Sequence, residues 1–323
     1  QMRFRYFKVN GTQQPVQLYK KTVSFRQKYH LVTSTDQLVA GRKYLIVNTT
    51  NSKALGTTQN PNNRSAADVS VSCDTISSID STVCVLTLGG QSGAWSLYDD
   101  GNNGYLYAAG GTSSNQLKTQ STLTDKGRWT IAFDNNHNAT IKAIASNVTK
   151  NTIMYNSGNN IFSCYSSGQQ SVRLFVLSEE YVFTENTTIA HLFPFDKHTI
   201  RSGATLTVTG TASCNDPSLL VIQDGGQLVH HSDGVQATCR KSITSFTNSA
   251  VSDGWYTIAT PFTTFDPASG LTANQYDLYA YNDEETLEWV NYKSGSFSLA
   301  SGQGYLYAHN PSAVVRMAGT LKD

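Results

Sequence analysis

The chain has 323 residues, 24 of them Lys or Arg and 23 Asp or Glu, for a net charge of +1. That balance leaves no basic field to hold a phosphate backbone, so nucleic acid is not an expected partner, and no run approaches the ~20 apolar residues of a membrane-spanning helix. Only 15% of residues are charged while tyrosine reaches 17 copies. Such a neutral, hydroxyl-rich composition suits an extracellular or cell-surface β protein of two or three domains, at about 100 to 200 residues each.

In chain order, the stretch from Phe4 to Tyr19 aligns, with one gap, on Phe162 to Phe175. Residues 1–28 therefore read as the last strands of an earlier module copy plus a linker, forming a hairpin docked on a neighbour to cover Phe4, Tyr6, Val16 and Leu18. From Tyr29 to Leu177 strand-like runs follow one another without helical periodicity. The first set is Lys43 to Asn48, Ala54 to Thr57, Ala67 to Ser72 and Val83 to Leu88. The second is Trp95 to Tyr98, Tyr105 to Ala108, Gln116 to Thr119 and Arg128 to Phe133; the third is Thr140 to Ile144, Thr152 to Tyr155, Ile161 to Tyr165 and Val172 to Val176. A four-strand unit recurring three times, roughly every 45 to 50 residues, predicts a β-trefoil over residues 29–178, with a closed sandwich as the competing reading.

Residues 179–245 change texture. Short strands ended by Gly or Asp-Gly, such as Thr205 to Val208 and Leu219 to Gln223, predict a short β-helix-like stack that must be capped by its neighbours. Residues 246–323 carry Trp255 to Ala259, Tyr276 to Tyr281, Leu287 to Tyr292, Gly304 to Ala308 and Val314 to Ala318, a β-sandwich-like segment that reads as truncated. The expectation is thus an all-β chain: trefoil, short solenoid, partial sandwich.

The run Gly41-Arg42-Lys43-Tyr44-Leu45-Ile46-Val47, with Gly104 to Ala108, Arg128 to Ile131 and Ile161 to Tyr165, resembles an uncharacterised β-rich module of exported surface proteins of Bacteroidetes. Gly203 to Gly210, Asp224 to Leu228, Gly254 to Pro261 and Tyr276 to Tyr292 resemble the region that precedes a type IX secretion sorting domain in the same group. The resemblance covers most of the chain and implies an accessory role beside extracellular hydrolases, with other domains of the parent chain as partners. It supplies no catalytic residues.

Chemistry is sparse. Gly90-Gln91-Ser92-Gly93-Ala94 approaches a nucleophile elbow but lacks the final Gly and the strand-to-helix setting. The seven histidines show no metal-binding spacing. Asp99, Asp100 and Asn102 offer hard oxygens that calcium could use, although a hairpin turn selects the same residues. Trp95, Trp129, Tyr105 and Tyr107, with Asn102, are the candidate glycan contacts, because flat rings stack on sugar faces while amides and hydroxyls bond sugar hydroxyls. Tyr105 and Tyr107 share a strand face and Leu106 takes the other, so the tyrosines are outside if Leu106 is core. Among the five cysteines, Cys73 with Cys84 and Cys214 with Cys239 could form disulfides, leaving Cys164 free; the alternative is five small buried hydrophobes. No cofactor is expected. The functional expectation is a non-catalytic region that binds glycan or another surface polymer, against a structural spacer and, third, a polysaccharide hydrolase or lyase.

Overall fold

The computed structural model describes residues 26–246, 254–284 and 288–322, together with the backbone of 7–9 and 12–14. Phe7–Val9 pairs antiparallel with Thr12–Gln14, as the N-terminal hairpin requires. The docking of that hairpin, and its proposed anchors, lie outside the described residues.

The next strands close into a ring. Lys43–Asn48 pairs with Leu86–Gln91, that strand with Ala94–Asp99, then Arg128–Phe133 and Ala139–Ala143 follow in turn. Ala139 bridges Val172, and Arg173–Leu177 returns to Lys43–Asn48, closing a barrel with no free edge. Three hairpins, Lys53–Gln59 with Arg64–Asp68, Gly104–Ala108 with Leu117–Gln120, and Thr152–Asn156 with Ile161–Tyr165, cap one end. Two barrel strands and one hairpin per unit, three times over, is a β-trefoil.

Alternation explains which side chains fill it. Along Arg128–Phe133 and Ala139–Ala143 alternate residues point inward, with Trp129, Ile131, Ala139, Ile141 and Ala143 buried and Phe133 half-buried, while Thr130, Thr140 and Lys142 face water. One departure from threefold regularity is an outer cluster of Tyr29, Leu31, Leu45, Val47, Val69, Ile76, Val83 and Phe175. The strand Tyr29–Leu31 adds to Arg173–Leu177 and, with Thr75–Ile76, covers a barrel face that the sequence pattern left unassigned.

The trefoil's hairpin cap is locked by one buried ion pair. Arg64 Nη1 lies 2.7 Å from Asp99 Oδ2, with the two side chains 0% and 2% exposed. The same guanidinium donates to the carbonyls of Gly56 and Thr57 and to the Thr119 hydroxyl. First and second units are thereby tied through their polar atoms as well as their apolar ones.

Residues 179–245 form the expected stack. Glu180–Phe183, Lys197–Ile200, Leu220–Ile222 and Gln236–Ile243 pair in parallel, and Thr187–Ile189, Thr205–Val208 and Gln227–Val229 form the facing parallel sheet. Leu192, Ile200, Leu206, Val208, Leu220 and Ala237 fill the space between. Ala313–Thr320 then lies antiparallel along the whole of Gln236–Ile243. That shared pair also forms one wall of the third core, where Ile243, Val315 and Met317 meet Ile258, Leu278, Tyr305 and Tyr307. The facing wall is an antiparallel sheet of Trp255–Ile258, Tyr305–His309, Tyr276–Tyr281 and Trp289–Asn291.

The five cysteines are unpaired, against the disulfide reading, but the alternative of five buried hydrophobes holds fully only for Cys84, Cys164 and Cys214, since Cys239 is half-buried and Cys73 exposed. Ile222, not Cys214, is the register partner of Cys239 across the stack. Burial pushes the thiols of Cys84 and Cys239 up to about 12 and about 11, and Cys73 is the exposed one. Brief alkylation of the native chain is expected to label Cys73 alone, read by peptide mass mapping; a blocked Cys73 paired to Cys84 would contradict this. Replacing either Arg64 or Asp99 by Ala strands a buried charge and is expected to destabilise the chain by about 3 to 5 kcal/mol, whereas the double replacement Arg64→Met, Asp99→Leu recovers most of that loss in urea titrations.

Candidate functional site

The hairpin from Ala94 to Ala108 decides the fate of the sequence candidates. Leu106 is fully buried, so Tyr105 and Tyr107 stand on the outer face, each half-buried. Register puts Tyr98 and Gln120 beside Tyr105 and puts Lys118 beside Tyr107. The Tyr98 and Tyr105 rings meet edge to face at 5.0 Å, and the Tyr98 hydroxyl donates to Asn103 Oδ1 at 2.6 Å. The result is a surface of aromatic rings bordered by an amine, an amide and hydroxyls.

Trp95 and Trp129 are corrected to core residues. They are register partners on the inner face of the barrel, 8% and 0% exposed, and offer nothing to a ligand. Strand alternation turns both inward with Leu97 and Ile131.

Asn102 is exposed, but its amide is already engaged. Its Nδ2 donates to Asp99 Oδ2 at 2.8 Å and to the Thr57 carbonyl at 2.9 Å. Asp99 turns inward to Arg64; burial opposes its charge, yet Arg64 and Asn102 hold its carboxyl below the ordinary value. Asp100 is exposed, and no group of three or more His, Cys, Asp or Glu side chains that could hold a metal ion occurs among the described residues. Arg64 and Asn102 already engage the Asp99 carboxylate that the calcium expectation would need. Ser92 sits exposed in the tight turn between Leu86–Gln91 and Ala94–Asp99, beside Gly93 at φ +84°. That position is a turn between strands, not a nucleophile elbow.

Sequence reading missed a second aromatic assembly at the junction of trefoil and stack. A cleft of about 330 Å³ is lined there by Tyr181, Phe183, His191, Phe193 and His198, with Arg42 and Asp196 at its base. Arg42 donates from Nη1 to Asp196 Oδ2 at 3.0 Å, from Nη2 to Oδ1 at 2.9 Å, and from Nη2 to the Leu177 carbonyl at 2.7 Å. The Phe193 and Phe195 rings lie 5.7 and 5.5 Å from its guanidinium carbon. Burial pushes the Asp196 carboxyl up, against Arg42 and the backbone N–H of Glu179. The alternation His191, Phe193, Phe195 and Tyr181, Phe183 was the available signal, but the chain between them gives no hint that Arg42 is their partner.

Two rings on either side titrate abnormally. Burial first, then Arg42, lowers His198 to about 4, with a bond to the Asp196 backbone opposing. Burial, Lys28 and Arg42 lower His30, stacked on Phe195 at 5.3 Å, to about 4 as well. The unfolded chain binds these protons near pH 6.5 and the folded chain only near 4, so their contribution is fully present above about pH 6.5 and is lost as pH falls toward 4. Because His198 is 2% exposed, His198→Phe is expected to recover on the order of 3 kcal/mol of the acid loss. Urea midpoints compared at neutral pH and near pH 4 test this; identical slopes for both proteins would refute it.

No family profile matches the chain, and no curated protein matches it. Among solved structures it is similar to a GH43 β-1,3-galactosidase (14% identity, TM-score 0.33), over 46% of this chain and 29% of that one. It is also similar to a β-trefoil named BEL (13% identity, TM-score 0.34, 45% of this chain and 99% of that one). A third is SeviL bound to asialo-GM1 saccharide (10% identity, TM-score 0.29, 42% and 95%). With every one of these scores below 0.5, the trefoil assignment rests on strand pairing.

Proposed function

We propose that the chain is a non-catalytic, glycan-binding accessory region of an exported, surface-held protein, and that the outer tyrosine face of the trefoil makes the contact. The carrying observation is that Tyr98, Tyr105 and Tyr107 share one outward face, in register with Gln120 and Lys118. Rings presented this way stack on the C–H face of a pyranose, while the flanking amine, amide and hydroxyl groups bond its hydroxyls. A net charge of +1 neither attracts nor repels a neutral polymer. The fold supplies the rigidity, since both tyrosines belong to a strand whose other face is locked in the core.

A second reading, a rigid spacer presenting other domains, is favoured by the buried Arg42–Asp196 joint, which resists bending between trefoil and stack. A glycan array probed with the whole chain separates the two. Tyr105→Ala with Tyr107→Ala is expected to weaken retention of the bound glycan at least tenfold while the urea midpoint stays near that of the parent. Unchanged retention removes the tyrosine face from the site, and no retained glycan favours the spacer. Release of reducing ends from any polysaccharide by the purified chain would overturn the non-catalytic role.

A further inference from the structure

On the strand pair shared by stack and third unit, the face turned away from the cores carries an unusual arrangement of charge. Arg240 and Arg316 are direct register partners on Gln236–Ile243 and Ala313–Thr320, so both project to the same side as Thr238 and Ala318. Arg201 extends this row from the neighbouring coil, where its Nη1 reaches Gln223 Oε1 at 3.4 Å. Like charges placed directly opposite across a sheet are destabilising. Among the described residues no carboxylate forms a salt bridge with Arg201, Arg240 or Arg316, although the adjacent Lys241 is paired with Asp224 at 2.9 Å.

The two partnered arginines border a recess of about 340 Å³. Its floor is Val221, Thr238 and Ala318, and Phe265, Ser218 and Ser269 stand around it. Gly270 presses the wall against the strand, since a Cβ there would come within 2.9 Å of the Arg316 carbonyl oxygen. Arg240 Nε is buried in the protein without a hydrogen-bond partner. Burial, then Arg316 and Arg201, disfavours the Arg240 charge. Two guanidinium groups held side by side by register at a recess, with no carboxylate among the described residues in a salt bridge to either, describe a site that an anion would complete.

We propose that this recess binds an oxyanion, specifically the sulfate ester or carboxylate of an acidic polysaccharide. The polymer assignment rests on the glycan-binding role proposed above; the oxyanion site does not. Sulfate and carboxylate share the oxygen geometry that a guanidinium recognises, so the assay must separate them.

Affinities of the whole chain for dextran sulfate, polygalacturonate and neutral dextran would be measured by calorimetry, in the parent, in Arg240→Gln with Arg316→Gln, and in Tyr105→Ala with Tyr107→Ala. The expected result is binding of at least one acidic polymer, at least tenfold weaker in the arginine variant and unchanged in the tyrosine variant. Because Arg316 is exposed on an outer face, Arg316→Gln alone keeps the test valid if the double variant does not fold. Its midpoint without ligand is expected to match or exceed the parent's, because a like-charge contact is gone. Sodium sulfate should then raise the parent's midpoint more than either arginine variant's. Equal affinity of parent and arginine variants for acidic polymers, with equal sulfate response, overturns the site. A sulfate response specific to the parent, with no polymer bound, overturns the polymer and retains the oxyanion site.

Discussion

A stack of parallel strands has two raw ends, each presenting an apolar interior and a row of unpaired backbone groups. In this chain both ends of the short solenoid are met by a different kind of structure. At the first, the trefoil lays Arg42 beneath the leading coil, where Asp196 clasps it and Phe193 and Phe195 cover it. At the last, Ala313–Thr320 pairs antiparallel with Gln236–Ile243 and turns the edge into the wall of another core. The neighbours supply the apolar cover and backbone partners that so few coils lack.

The two joints use opposite electrostatics. Arg42 and Asp196 are buried together, and so are Arg64 and Asp99 within the trefoil. Such pairs gain little net stability over apolar packing, but each specifies one arrangement, because separating the partners leaves a bare charge in a low-dielectric interior. A junction and a hairpin cap are where one arrangement is needed. Around Arg240 and Arg316 the same logic is left incomplete: the charges are fixed by strand register, yet the acid that would complete them is absent from the described residues. Unlike Arg42 and Arg64, these two are not buried in the interior, and the adjacent Lys241 does have a carboxylate partner in Asp224.

Much of the backbone was legible because period-two alternation and Gly-rich turns report local geometry directly. The trefoil strands came close to their observed limits, although Val83 to Leu88 moved to Leu86–Gln91 and Ala67 to Ser72 to Arg64–Asp68. Those two shifts fall around the segment that carries the outer cluster of Ile76 and Val83, an interruption of the repeat. What alternation cannot carry is which side faces inward until one residue is anchored. Trp95 and Trp129 went to the core and Tyr105 and Tyr107 to the surface by the same rule, and only Leu106 told them apart. Charge pairing was less legible still. Arg42 and Asp196 are separated by 154 positions, and no local pattern encodes a partner at that range.

Register also explains why the proposed contacts can exist without weakening the fold. Tyr105 and Tyr107 alternate with Leu106, and Arg240 and Arg316 alternate with Cys239 and Met317, which pack into the cores. A slip of one residue in either strand would exchange the two faces, burying hydroxyls or guanidinium groups and exposing leucine or methionine. The core side of each strand therefore holds its binding side in place, and substitutions on the outer face can change the ligand while the inner face keeps the register. The two faces, one of rings and one of guanidinium groups, lie on different units of the chain, so each can be altered without disturbing the register of the other.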